Sequence, residues 1–269
     1  MTPGEPRQPV RVGAVSFLNA RPLTWALDRQ PDRWQVRYDL PSACARLLHA
    51  GEVDLGLIPS VEYLEQPDYR FVPGVGIGSR GPIASVAIFT RREVADIRTL
   101  ALDTSSKTSV ALIKVLCAKR FGIAPVFRPS APDLGAMLAT ADAALIIGDP
   151  ALELDADAEG VRKIDLGQEW TALTGLPFVY AAWTGRPGAV SEAGVAALQQ
   201  AQAEGVEATA AIAAEYAGAR TGVRPLAEAY LRDNVRYGMG PDEVAGLQLF
   251  LDWAAELGVG PARRIVSFY

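Results

Sequence analysis

VRVGAVS at residues 10–16, QVRYDL at 35–40 and VDLGLIP at 53–59 are three short runs with strand character, and the stretches between them are helical in pattern. The first run leads into Phe17-Leu18-Asn19-Ala20-Arg21-Pro22, which opens a helix reaching about residue 27; Pro22 suits a first helical turn, where its missing N–H is not needed. Residues 41–50 form the second helix, ending at Gly51, and a third begins at residues 60–65. Strand, helix, strand, helix, strand with short turns predicts a parallel sheet.

The pattern then repeats. Residues 71–79 and 83–91 read as strands joined by Arg80-Gly81-Pro82. A strand at 99–103, an amphipathic helix at 104–121, a strand at 125–128, a helix at 132–140 and a strand at 143–147 make a second β-α-β-α-β set, closed by Gly148-Asp149-Pro150. One more strand is expected at 178–184. The remainder is helical, at 191–217, 225–233 and 241–257, with Asp242 and Glu243 complementing the dipole of the last helix. Two successive α/β units followed by a strand and a helical tail predict two lobes. The chain crossings fall near 88–96 and 178–186. The first lobe takes residues 1–91 plus 185–269, the second 92–184, with a ligand cleft between them. The alternative is one doubly wound sheet.

At 269 residues and 49% hydrophobic, the chain can build a sizeable core. Its net charge is −5 with Lys and Arg scattered, so nucleic acid is not an expected partner; one pocket can still be locally positive and take an anion. Cys44 and Cys117 belong to no CxxC pair and read as buried thiols of a reducing compartment. With His49 as the single histidine, no zinc site is expected. The lead MTPGEPRQPV carries three prolines and no apolar h-region, and no apolar run approaches a membrane span. A cytoplasmic location follows as the expectation; oligomeric state is not legible.

Chemistry concentrates at four places. Ser16, Asn19 and Arg21 lie just past the carboxyl end of the first strand, where open parallel sheets bind ligands; Asn19 can equally cap the helix that follows. Ser105, Ser106 and Thr108 belong to a segment of five hydroxyls and Lys107 at a helix start. Free N–H groups and the dipole there suit a carboxylate, and one cap needs one hydroxyl, not five. Ser79 and Ser85 flank the Gly81-Pro82 turn, facing either the cleft or solvent. Asp149 either reaches the cleft as an acceptor or caps a helix beginning at Pro150. His49 reads as a surface residue, and no catalytic motif with its required context appears.

Together the segments SFLNARP (16–22), GEVDLGLIPSVEY (51–63), S-x-GPIASV (79–86), LDTSSKTSVAL (102–112), ALIIGDPAL (144–152), DLGQEWTALTGLPFVYAAW (165–183) and RDNVRYGM (232–239) span nearly the whole chain. The chain resembles the chorismate dehydratase family of the futalosine route to menaquinone. That resemblance implies a periplasmic-binding-protein-like (type II) α/β fold and a hydro-lyase that turns chorismate, a small dicarboxylate, into 3-[(1-carboxyvinyl)oxy]benzoate. Aromatisation drives the reaction, so neither metal nor redox cofactor is expected. The resemblance also implies that Asn19 hydrogen-bonds the reacting substrate and that Ser85 anchors a carboxylate or assists the leaving hydroxyl. Ser105, Ser106 and Thr108 then hold the other carboxylate, with a substrate carboxylate as proton acceptor. The sister 1,4-dihydroxy-6-naphthoate synthase has an SPCPNDTF-like start and a histidine base; SFLNARP and the place of His49 weigh against it. A non-catalytic small-anion binder is the other alternative.

Overall fold

A computed structural model describes residues 8–220, 222–260 and 262–269. Most of the proline-rich lead, residues 1–7, lies outside the described residues, and with it most of the segment read for a leader.

The first sheet has six strands. Strand β1 (Val10–Val15) lies between β2 (Trp34–Asp39) and β3 (Leu55–Pro59), all parallel. The crossover helices are α1 (Arg21–Thr24) and α2 (Pro41–His49), the latter with proline in its first turn. Strand β4 (Arg70–Ser79) stands farther out in the same sheet. The second sheet has five strands. In it β6 (Thr99–Asp103) pairs in parallel with β7 (Val126–Ser130) and β8 (Ala143–Ile147), β5 (Val86–Thr90) runs antiparallel beside β8, and β9 (Arg162–Asp165) pairs antiparallel with β5 at the edge. Its helices are α3 (Lys107–Leu116), α4 (Leu134–Thr140), α5 (Gly148–Glu153) and α6 (Leu166–Thr174). Strand β10 (Phe178–Gly185) returns to the first sheet between β3 and β4, and β11 (Arg236–Met239) adds the edge beside β4. Helices α7 (Glu192–Glu207), α8 (Thr209–Ala217), α9 (Val223–Ala229) and α10 (Pro241–Glu256) cover the first lobe.

Apolar sequence explains the central strands. LGLIP, VAIFT, AALII and FVYAAWTG are buried at every residue, as expected of strands covered on both faces. Side-chain caps set several helix starts: Ser106 for α3, Asp133 for α4, Asp165 for α6 and Ser191 for α7. One apolar core runs from the first sheet into the second, joined by Trp170 of α6, which packs edge-on against Phe178 and Phe250.

Sheet membership corrects the expected lobe boundaries. Strand β5 belongs to the second sheet and β10 to the first, so the chain crosses at about 80–85 and 175–177 rather than at 91/92 and 184/185. The pairing of β5 with β8 and of β10 with β3 decides this, and neither pairing is local in sequence. Two strands, β9 and β11, and helix α6 add to the expected elements. The long helix expected at 191–217 breaks at Ala208 into α7 and α8, and the helices expected at 104–121 and 225–233 each end in a π-helical turn.

Candidate active site

The two lobes meet directly. Leu18 N–H donates to Asp149 Oδ1 at 3.0 Å, Ser42 N–H to Ser105 O at 2.9 Å, and Val61 N–H to Thr108 Oγ1 at 3.1 Å. Lys107 Nζ reaches the buried Glu62 carboxylate at 3.0 Å. Between the lobes, at the carboxyl ends of β1, β3 and β8, lies a narrow cleft, the place where open α/β folds bind small molecules.

Val15, Phe17, Asn19 and Tyr180 line it from the first lobe, Val86, Ser106, Ser109 and Ile147 from the second. The walls are largely apolar, and none of the lining residues is charged. Asn19 sits in the 3-10 turn Leu18–Ala20 ahead of α1. It caps nothing: Ala20 holds the cap position, with no side-chain bond. Its Oδ1 is buried without a hydrogen-bond partner. An unpaired buried amide oxygen costs roughly 1–3 kcal/mol, a deficit that a hydrogen-bond donor placed beside it would remove.

The start of α3 supplies the donors. Ser109 N–H and Ser109 Oγ–H both point to Ser106 Oγ, at 3.5 and 3.3 Å. Among the described residues no acceptor meets the backbone N–H of Lys107 or Thr108, so the positive end of this helix is open. Of the five hydroxyls, Ser106 and Ser109 line the cavity. The Thr108 hydroxyl is fully buried at the lobe contact with Ser60 and Val61, and Thr104 is exposed. Ser105 acts through its backbone, its N–H donating to Asp103 Oδ1 at 2.9 Å.

Behind the cavity, the crossing segment is tightly held. Ser79 Oγ lies 3.1 Å from Tyr180 Oη, and Ser85 Oγ lies 2.7 Å from Tyr230 Oη; both serines are buried, which excludes the solvent-facing hairpin. Asp165 accepts the N–H groups of Ile83 and Ala84 at 3.1 and 2.6 Å, and also those of Gly167 and Gln168. Ala84, with φ 66°, is the one non-glycine residue of positive φ among the described residues, and this clamp holds it in that conformation.

Asp149 stands in the first turn of α5 rather than at its cap. Burial raises its pKa, an effect that the Leu18 N–H opposes. Ser16 and Arg21 are exposed, with Arg21 over the Tyr38 ring. His49 is not the free surface residue expected: Nε2 meets Glu62 at 3.0 Å and Nδ1 meets Tyr69 Oη at 2.9 Å. Among the described residues no group of three or more His, Cys, Asp or Glu could hold a metal ion.

Sequence reasoning missed Phe17, Ser109, Gly148, Tyr180 and Tyr230 as site residues. Ser109 follows Ser106 at helical i,i+3 spacing, and Tyr180 alternates with Phe178 along β10; both signals were readable. Tyr230 carried none.

The chain matches the menaquinone-biosynthesis family over residues 10–256. It is 30% identical to chorismate dehydratase of Thermus thermophilus over 262 residues, 91% of this chain and 95% of that protein. Among solved structures it resembles a protein of Archaeoglobus fulgidus (TM-score 0.74, 19% identity, covering 95% of this chain and 100% of that one). It also resembles the periplasmic aliphatic sulphonate binding protein SsuA of Escherichia coli (TM-score 0.67, 20% identity, 96% and 90%). The fold is thus periplasmic-binding-protein-like, with two α/β lobes around a cleft. Matched along nearly its whole length, the chain belongs to the menaquinone-biosynthesis family.

Proposed function

We propose that the chain is a hydro-lyase that dehydrates chorismate to 3-[(1-carboxyvinyl)oxy]benzoate for menaquinone synthesis. The observation that carries this reading is the interlobe cavity, where the unpaired amide oxygen of Asn19 and the hydroxyls at the start of α3 share one apolar chamber. A partly apolar ring suits such walls in character, and its carboxylates suit the neutral donors.

The residues divide the work. The N–H groups of Lys107 and Thr108, with the hydroxyls of Ser106 and Ser109, hold one carboxylate at the helix start. Asn19 hydrogen-bonds the reacting region and stabilises charge as it develops. Ser85, directly behind Val86, supports the leaving hydroxyl. The ring loses that hydroxyl and the hydrogen of the neighbouring ether-bearing carbon. A carboxylate of the substrate takes the proton and delivers it to the departing hydroxyl, which leaves as water. The protein orients these groups and excludes bulk water. The free buried thiols Cys44 and Cys117 suit a cytoplasmic setting.

Incubation of the protein with chorismate, followed by mass spectrometry, tests the reading. The dehydrated aromatic product is expected; chorismate recovered unchanged from the cleft indicates a carrier and refutes it. Turnover of the cyclic futalosine-derived substrate instead indicates the sister synthase. Asn19→Ala is expected to lose turnover, and full retained activity removes Asn19 from the mechanism.

A further inference from the structure

Tyr230 opens the π-helical turn Tyr230–Asn234 that ends α9, in a segment the chemistry above does not use. Its ring is fully buried at 2% exposure. Its phenol oxygen lies 2.7 Å from Ser85 Oγ, 145 residues away in sequence. Burial raises the phenol's pKa, and the Ser85 and Asn19 side chains work in the opposite direction. A neutral phenol, able both to donate and to accept, therefore lies against the Ser85 hydroxyl assigned to the reacting centre.

The same turn grips the crossing a second time: Asn234 Nδ2 donates to Pro82 O at 3.0 Å. Single π-helical turns recur at functional sites. A nearby tyrosine gives the contrast. Tyr237 is also buried, yet its hydroxyl has no hydrogen-bond partner.

We infer that Tyr230 is the positioning residue of the site: its hydroxyl sets the direction of the Ser85 hydroxyl. The C-terminal segment thereby completes the reacting centre rather than merely covering the sheet. This rests on the dehydratase reading above.

The test uses the whole protein and compares Tyr230→Phe, Tyr237→Phe, Ser85→Ala and the Tyr230→Phe/Ser85→Ala double variant, with kcat, KM for chorismate and Tm as readouts. Tyr230→Phe is expected to lower kcat roughly ten- to a hundredfold, with KM within about threefold of wild type. Tyr237→Phe removes an equally buried oxygen and leaves kcat unchanged. On the Ser85→Ala background the further loss from Tyr230→Phe is less than about twofold, because both variants remove one interaction. The proposal is overturned by a Tyr230→Phe kcat within about twofold of wild type, by an equal loss in Tyr237→Phe, or by fully multiplicative losses in the double variant. Loss of cooperative unfolding in Tyr230→Phe assigns the residue to structure and overturns it too. A wild-type protein that leaves chorismate intact sinks the parent reading, whereas an active wild type with an equally active Tyr230→Phe sinks this inference alone.

Discussion

Gly148→Ala separates backbone strain from lobe closure. Gly148 has φ 67°, and a Cβ built on it lies 2.7 Å from three carbons of the Phe17 ring. Favourable carbon contacts begin near 3.5 Å, so the ring or the opposing lobe must retreat by nearly an ångström. Two costs follow. The left-handed backbone costs an alanine about 1–2 kcal/mol in every folded form. At roughly 2–4 °C per kcal/mol for a chain of this size, Tm falls by about 2–8 °C. The clash with Phe17 arises only when the lobes meet, because Phe17 and Gly148 come from opposite lobes. Overpacking of this kind costs about 1–3 kcal/mol, which lowers the closed population roughly 5- to 150-fold relative to open. KM for chorismate should rise correspondingly. Gly160→Ala is the control, since Gly160 has φ 61° and nothing within 4 Å of its built Cβ. It shares the strain and lacks the clash. Kinetics and thermal melts of both variants check the argument. Equal KM values for the two would refute the assignment of the Phe17–Gly148 contact to closure.

The Glu62 carboxyl is raised by burial, but His49 and Lys107 outweigh this and hold it below its usual 4.5. A depressed carboxylate contributes stability that is present above the unfolded pKa and lost as pH falls through the lower folded value. Wild-type Tm should therefore fall more steeply below about pH 4.5 than that of Glu62→Gln; parallel calorimetric profiles would contradict this. Asp149 has the opposite sign: its raised pKa makes the ionised form a net cost at neutral pH, and stability falls as pH rises through the folded value. Asp149→Asn keeps an acceptor for Leu18 N–H and should melt no lower than wild type at neutral pH, with the difference vanishing in acid; a lower neutral Tm would show that the charge is needed. His49→Ala should keep kcat within about twofold, since both ring nitrogens are committed to Glu62 and Tyr69. A large drop would reopen the question of a protein base.

The alternation of apolar strands and helices was legible because each β-α-β unit is built from neighbouring segments. The open start of α3 was legible because crowded hydroxyls at a helix start are unusual. Other elements left weaker traces. Strand β9 has only four residues, RKID, and its charged alternation resembles a solvated loop until Lys163 is seen over the Phe89 ring. Helix α6 did carry a signal, Asp165 followed by Gln168 three positions on, the spacing of a capping box. The break at Ala208 had none, since alanine and glutamate continue on both sides. The Thr108 hydroxyl could not be told from its neighbours, because its partner Val61 N–H lies across the lobe boundary. The Tyr230–Ser85 bond is the extreme case, as no local pattern encodes a contact made only by the completed fold.

The uncharged walls of the chamber bear on how it empties. Binding that relies on backbone dipoles and hydroxyls sets no protein charge against the ligand, and neutral donors are readily re-solvated by incoming water when the lobes separate. Such a cleft trades holding power for easy discharge, the balance that suits a catalyst more than a storage or scavenging protein.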